Sequence, residues 1–253
     1  MKTGLSLGAG VDTTAILRIP EIIDQTDFVI FSDTGGEHPE TYQFIEEWIG
    51  PFLKEKKIPF YIVRGKENAD GLEVENMEEA YLRWKIIPIR MLRHCTAKWK
   101  LKPIRKFLAE KYPGEQIRMI IGIAADEPQR INDSRWEGYT TWYPLVEMKL
   151  KREDCEQIIK DSGWPVPIKS GCFYCPFQRL DQWKTLRWKH RDLWERAIEL
   201  EKNGQAYPQM TISNFKKNKV PLTLEEVDRR LGSTLDEFDE VKEDPECGGV
   251  CET

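Results

Sequence analysis

Ser6-Leu7-Gly8-Ala9-Gly10-Val11-Asp12-Thr13-Thr14 is the stretch on which the reading of the fold turns. A short apolar run, Gly4–Gly8, ends in the turn Gly8-Ala9-Gly10, and a helical pattern starts near Asp12. A glycine-rich turn from a strand into a helix aims backbone N–H groups at phosphate oxygens, and the helix dipole adds to the attraction. A small hydroxyl residue at the helix start supplies one more donor. Gly8, Ala9, Gly10, Asp12 and Thr13 are therefore candidate nucleotide contacts. The plainer alternative is an ordinary strand-to-helix turn.

Outward from this turn the pattern repeats. Asp27-Phe28-Val29-Ile30-Phe31 and Pro59-Phe60-Tyr61-Ile62-Val63 read as strands. Between them Pro39 stands at a helix start, followed by Tyr42, Ile45, Trp48 and Ile49 at helical spacing. Ile117–Ile123 is almost wholly apolar, as a strand buried on both faces requires. Strands alternating with helices predict a parallel sheet with crossover helices, and ligands in such sheets lie beyond the carboxyl ends of the strands. Two further loops then become candidate ligand contacts. Asp33-Thr34-Gly35 follows the second strand, with His38 as a proton-donor candidate. Gly122-Ile123-Ala124-Ala125-Asp126-Glu127-Pro128-Gln129-Arg130 follows the fourth, and the plainer reading of its Glu127 and Arg130 is a surface ion pair.

After about Tyr143 the character changes. Arg152–Ser162 reads as a helix closed by Gly163. A proline-rich connector then leads into Gly171-Cys172-Phe173-Tyr174-Cys175-Pro176, and one helical stretch carries Trp183, Leu186, Trp188, Leu193 and Trp194. The expected organisation is an α/β domain over 1–145, a Cys-bearing helical extension over 146–240 and a mobile tail over 241–253.

The net charge of −5 hides two opposed segments. Arg83–Lys111 holds ten Lys or Arg against one acid, whereas Pro221–Thr253 holds eleven acids against three bases. The basic segment suits an anion such as a nucleotide, a sulfate or a nucleic-acid backbone, or it is simply a solvated helix face. The chain is expected to carry no signal peptide and no membrane span, which makes the cytoplasm the expected compartment. Six cysteines in that compartment suggest metal or redox chemistry rather than structural disulfides. Cys172 and Cys175 have the spacing of a metal or iron–sulfur ligand pair, with Cys95 and Cys155 available to complete a set of four. Cys247 and Cys251, four residues apart beside glycines, suit thiol–disulfide exchange, the alternative being a spare metal-binding tail.

Several of these segments together resemble the phosphoadenosine-phosphosulfate (PAPS) reductase family and the wider PP-loop ATP pyrophosphatases. Gly8-Ala9-Gly10-Val11-Asp12-Thr13 is similar to the PP-loop pattern Ser-Gly-Gly-x-Asp-Ser, with Gly8 for the first Ser and Thr13 for the last. Asp33-Thr34-Gly35-Gly36-Glu37-His38-Pro39-Glu40-Thr41 resembles the Thr-Gly-x-x-x-Pro-Glu-Thr segment. Cys95-Thr96-Ala97-Lys98-Trp99-Lys100-Leu101-Lys102-Pro103 resembles the Cys-Thr segment, which adds Lys98 to the nucleotide contacts. The loop from Gly122 to Arg130 resembles the Gly-x-Arg-x-x-Glu-Ser-x-x-Arg segment of these families, with Ala124 where Arg is common, and the resemblance adds Gly122, Glu127 and Arg130 to the nucleotide contacts. The Cys172-to-Phe177 segment looks like that of a bacterial and phage subgroup, and Glu246-Cys247-Gly248 like the tail that carries the reductase nucleophile.

The resemblance implies an α/β Rossmann-like three-layer sandwich with a mainly parallel sheet, plus the Cys-bearing extension. It implies an enzyme of sulfur chemistry that binds ATP or a sulfonucleotide. Cys247 and Cys251 would be catalytic, and Cys95, Cys155, Cys172 and Cys175 would hold a 4Fe-4S cluster, with zinc as the alternative. Mg2+ would accompany ATP cleavage. The expected partners are the adenine nucleotide, a nucleic-acid substrate held by the basic segment, or a sulfur-donor or reductant protein, with no membrane. The rival reading is a non-enzymatic zinc module that binds nucleic acid through the same basic segment and its tryptophans.

Overall fold

The computed structural model of the chain describes residues 1–69, 71–90, 94–136, 138–204, 211–213, 216–217 and 220–231. It is an α/β structure built on five strands: β1 (Lys2–Leu7), β2 (Phe28–Asp33), β3 (Phe60–Arg64), β4 (Ile117–Ile121) and β5 (Thr140–Trp142). Their order across the sheet is β3-β2-β1-β4-β5, and every neighbouring pair is parallel. The first four lie where the apolar runs predict them. The fifth, Thr-Thr-Trp, was not expected, because three residues are too few to show a period.

The period-2 alternation of the strands explains the layers. Leu5, Leu7, Val29, Phe31 and Ile120 bury one face against Val11, Ile16, Ile45, Ile49 and Leu53. Phe28, Ile30, Met119 and Ile121 bury the other against Leu101, Ile104, Leu108 and Trp136. Both faces of the sheet are thus covered, as a parallel sheet requires. Gly4 is needed where it stands in β1, because the Phe28 ring fills the space a Cβ would take.

The chain divides into two compact units. The first comprises Met1–Gly65 and Thr96–Ser170 and contains the whole five-stranded sheet. The helix Arg152–Asp161 ends in this unit as predicted, with Gly163 at φ 78°.

The second unit comprises Lys66–Cys95 and the described residues from Gly171 onward. It holds an antiparallel hairpin (Glu67–Ala69 with Leu72–Val74) and the helix Met77–Trp84. That helix is capped by Asn76, whose side chain accepts from the Glu78 amide at 2.8 Å. The helices Leu180–Lys189, Arg191–Asn203 and Leu224–Leu231 complete the unit. The expected single stretch across Trp183 and Trp194 is therefore two helices, broken at His190 (φ −131°, ψ 62°). In an unbroken helix those tryptophans would stand about 16 Å apart along the axis. The break brings their rings to 6.0 Å, edge to face, and both are fully buried. Among the described residues no helix is long and apolar enough to cross a membrane.

Candidate functional site

The order β3-β2-β1-β4-β5 makes β1 and β4 neighbours whose connections run to opposite sides. This is the switch point of the sheet, and in open parallel sheets ligands bind beyond the carboxyl ends of the strands there. The loop leaving β1 is Gly8-Ala9-Gly10. Ala9 is buried and holds φ 54°, a left-handed conformation that favours glycine. Gly10 caps the helix Val11–Leu17, and its carbonyl accepts from the Thr14 amide at 3.0 Å and the Thr13 hydroxyl at 3.3 Å. The Thr13 hydroxyl, expected to face a phosphate, here closes the turn. Gly122, at the end of β4, lies against this loop: a Cβ on it would meet Thr13 Cγ2 at 2.7 Å and Thr13 N at 3.1 Å. A helix start and a strand end 109 residues apart in sequence are thus brought together, and only glycine fits at their contact.

Asp12 is buried on the first turn of the helix, and its Oδ1 accepts from Arg152 Nη1 at 3.0 Å. The Arg152 amide also donates to Asp126 Oδ1, at 3.2 Å, in the loop leaving β4. One turn further along the same helix, Cys155 is fully buried in the core. Burial, then the Asp12 carboxylate, push its thiol up to about 12. Arg152 escaped the sequence reading because its partner is 140 residues away and no local spacing announces the pair.

The loop leaving β2 is organised by Asp33. Its Oδ1 accepts from the Gly35 amide at 2.8 Å and the Tyr42 hydroxyl at 2.6 Å. Its Oδ2 accepts from Arg64 Nε at 3.0 Å and Nη2 at 2.7 Å. Burial, then Asp33, hold the Tyr42 phenol above its ordinary range. Thr34 donates to Glu37 Oε1 at 3.3 Å, and Lys100 stands 3.8 Å from the same oxygen. His38 is buried at the start of the helix Pro39–Phe44 rather than exposed on the loop surface.

Beyond β4, Glu127 and Arg130 form the ion pair their spacing suggests, at 2.5 Å, with the arginine buried rather than on the surface. The turn Cys95–Leu101 is tied to β2 by the Ser32 hydroxyl, which donates to the Trp99 carbonyl at 2.8 Å. Lys98 is exposed on that turn.

In the second unit the segment Cys172–Phe177 is a closed turn. The Cys175 amide donates to the Cys172 carbonyl at 2.9 Å, and Gln178 Nε2 donates to the Phe173 carbonyl at 2.6 Å. Arg90 donates to the Pro176 carbonyl at 2.8 Å and lies 5.2 Å from the Phe177 ring centre. Arg196, paired with Glu78, lies 4.9 Å from the Phe173 ring centre. Tyr81 is buried beside Tyr174, and burial, then Cys95, Cys172 and Cys175, raise its phenol above the ordinary range. Three of the predicted ligand cysteines thus act electrostatically on one phenol, which sequence spacing did not point to. Cys155 belongs to the first unit. Among the described residues no three His, Cys, Asp or Glu side chains form a metal-holding group. Cys247 and Cys251 lie outside the described residues.

No protein-family model matches the chain. It is 25% identical over 202 residues to the uncharacterized protein MJ0066 of Methanocaldococcus jannaschii, a match covering 72% of this chain and 37% of that protein. It is 26% identical over 167 residues to the uncharacterized nin region protein ORF290 of Escherichia phage lambda, covering 58% of this chain and 54% of the relative. The matched part is thus between about a third and a half of the length of these curated relatives.

Proposed function

We propose that the chain is a PP-loop-type enzyme, built as a Rossmann-like three-layer sandwich. It binds an adenine nucleotide where the loops leaving β1, β2 and β4 meet, and uses it for sulfur chemistry. The observation that carries this reading is the approach of Gly122 to Thr13. Gly122 lets the end of β4 pack against the helix start that follows the Gly8-Ala9-Gly10 turn, and a turn of small residues into a helix start suits phosphate binding by backbone N–H groups. The left-handed Ala9 supports it further, since the PP-loop pattern has glycine at that position. Around these loops stand the cations Arg152, Arg130 and Lys100, each beside a carboxylate.

A divalent ion accompanying a triphosphate would find carboxylates at Asp12, Asp33 and Glu37. The thiols Cys95, Cys172 and Cys175 have the donor chemistry of a zinc or 4Fe-4S site, which would supply a redox or structural centre. Their arrangement among the described residues is not that of a formed site. Cys155 is the proposed fourth ligand, and Cys247 with Cys251 the proposed exchanging thiols.

Calorimetric titration with ATP and with a sulfonucleotide tests the reading. Gly10 has φ −94° and ψ −176°, extended backbone that valine adopts freely. Gly10→Val should therefore keep the fold and lose nucleotide affinity, because its side chain blocks the approach to the N–H groups. Unchanged affinity would remove the loop from the site. Visible absorbance with iron, zinc and sulfide analysis of anaerobically purified protein separates a cluster from zinc. A colourless zinc protein indifferent to nucleotides would favour the nucleic-acid module instead.

A further inference from the structure

We propose that Arg152 reads the anionic chain of the bound nucleotide: anchored on Asp12, its guanidinium takes the groups beyond the α-phosphate. The proposal rests on the nucleotide reading above and names the residue that would set its specificity. Arg152 is the first residue of the helix Arg152–Asp161 and touches both loops that border the β1/β4 crevice. Its guanidinium donates to Asp12, just after the Gly8–Gly10 turn, and its amide to Asp126, just after β4.

The pair is asymmetric. The Asp12 side chain is 1% exposed, whereas that of Arg152 is 29% exposed. A buried carboxylate keeps its counter-charge close whatever else binds, because an uncompensated buried charge is strongly unfavourable. Arg152 is therefore held in place at the crevice. A guanidinium is a planar fork of five N–H donors and can hold a carboxylate on one edge and phosphate or sulfate oxygens on another.

The other cations of the site are placed differently. Arg130 is 4% exposed and engaged with Glu127. Arg64 is more exposed, at 56%, but grips Asp33 through two nitrogens at the end of β3, two strands from β1. Among the charges facing Arg152 are the carboxylates of Asp12 and Asp126. An incoming anion is expected to share the guanidinium with Asp12.

The test is a calorimetric series with AMP, adenosine 5′-phosphosulfate and ATP, in Mg2+, on the full chain. Three proteins are compared: unmodified, Arg152→Lys, and the double variant Asp12→Asn/Arg152→Gln, which leaves no buried charge uncompensated. The unmodified chain should bind more tightly as the chain beyond the α-phosphate grows. Arg152→Lys keeps the charge but loses the fork. It should weaken the longest-chain ligand on the order of 10–100-fold while changing AMP little. The double variant should flatten the series. A gain seen with phosphosulfate assigns Arg152 to sulfate, and one seen only with ATP assigns it to the outer phosphates. If the unmodified chain shows the gradient and both variants, folded by thermal unfolding, keep it, Arg152 is only the counter-ion of Asp12 and the proposal falls. If the unmodified chain binds none of the three, the nucleotide reading fails and takes the proposal with it.

Discussion

Gly122 and Thr13 touch across the carboxyl ends of β4 and β1, so closely that a Cβ on Gly122 would stand 2.7 Å from Thr13 Cγ2 and 3.1 Å from Thr13 N. The second contact is backbone, which cannot swing aside as the end of a side chain can. Gly122→Ala should therefore push the Gly8–Gly10 loop outward and cost about 1–3 kcal/mol of stability. Chemical denaturation measures the loss. Gly114→Ala, which meets nothing within 4 Å but has φ 75°, controls for backbone strain. Equal stability of Gly122→Ala and the unmodified chain would show that the two loops are not in contact.

Asp33 joins three elements through Gly35, Tyr42 and Arg64. Tyr42→Phe removes one hydrogen bond to a buried carboxylate, a loss of about 1.5–3 kcal/mol. Arg64→Ala should cost less than the ~3–5 kcal/mol of a fully buried pair, since the Arg64 side chain is 56% exposed. Denaturation of the two single variants and the double variant gives the coupling. Strict additivity would mean that Asp33 does not link the two.

Cys155 sets an alkaline limit on stability. Burial raises its thiol to about 12 in the folded chain, against roughly 8.5 in an unfolded one. The contribution is fully present below the unfolded value and is lost as pH rises from there towards the folded one. The unmodified chain should therefore lose more stability across that window than Cys155→Ala. Native alkylation followed by mass spectrometry should label Cys155 last among the described cysteines, since its side chain is fully buried. Prompt labelling at neutral pH would contradict the buried placement.

The thiols around Tyr81 should behave as one centre. Cys95→Ser, Cys172→Ser and Cys175→Ser are each expected to lower metal or cluster content in anaerobically purified protein, because an incomplete shell binds poorly. Cys155→Ser decides the fourth ligand: full metal stoichiometry in that variant would exclude it.

Much of the α/β core is visible in the chain as written. Val29 and Phe31 alternate with Phe28 and Ile30 and go to opposite faces of β2, so the apolar run alone announces a strand buried on both sides. The turn Gly8–Gly10 is legible as a run of small residues between strand and helix, and the left-handed Gly163 from what glycine permits locally. The break at His190 was not legible. The residues around it suit a helix, and only the packing of Trp183 against Trp194 calls for two.

By itself the sequence determined the first four strands of the sheet, the turns between them and which loops carry small and polar residues, since these depend on periodicity and backbone preference over a few residues. Tertiary structure alone decided the strand order β3-β2-β1-β4-β5 and the pairing of Asp12 with Arg152. It also decided the contact of Gly122 with Thr13 and the effect of Cys95, Cys172 and Cys175 on Tyr81. The physical reason is common to all four. Each joins residues far apart in the chain, and such contacts form only when packing offsets the loss of chain entropy, a balance that no short stretch of sequence records.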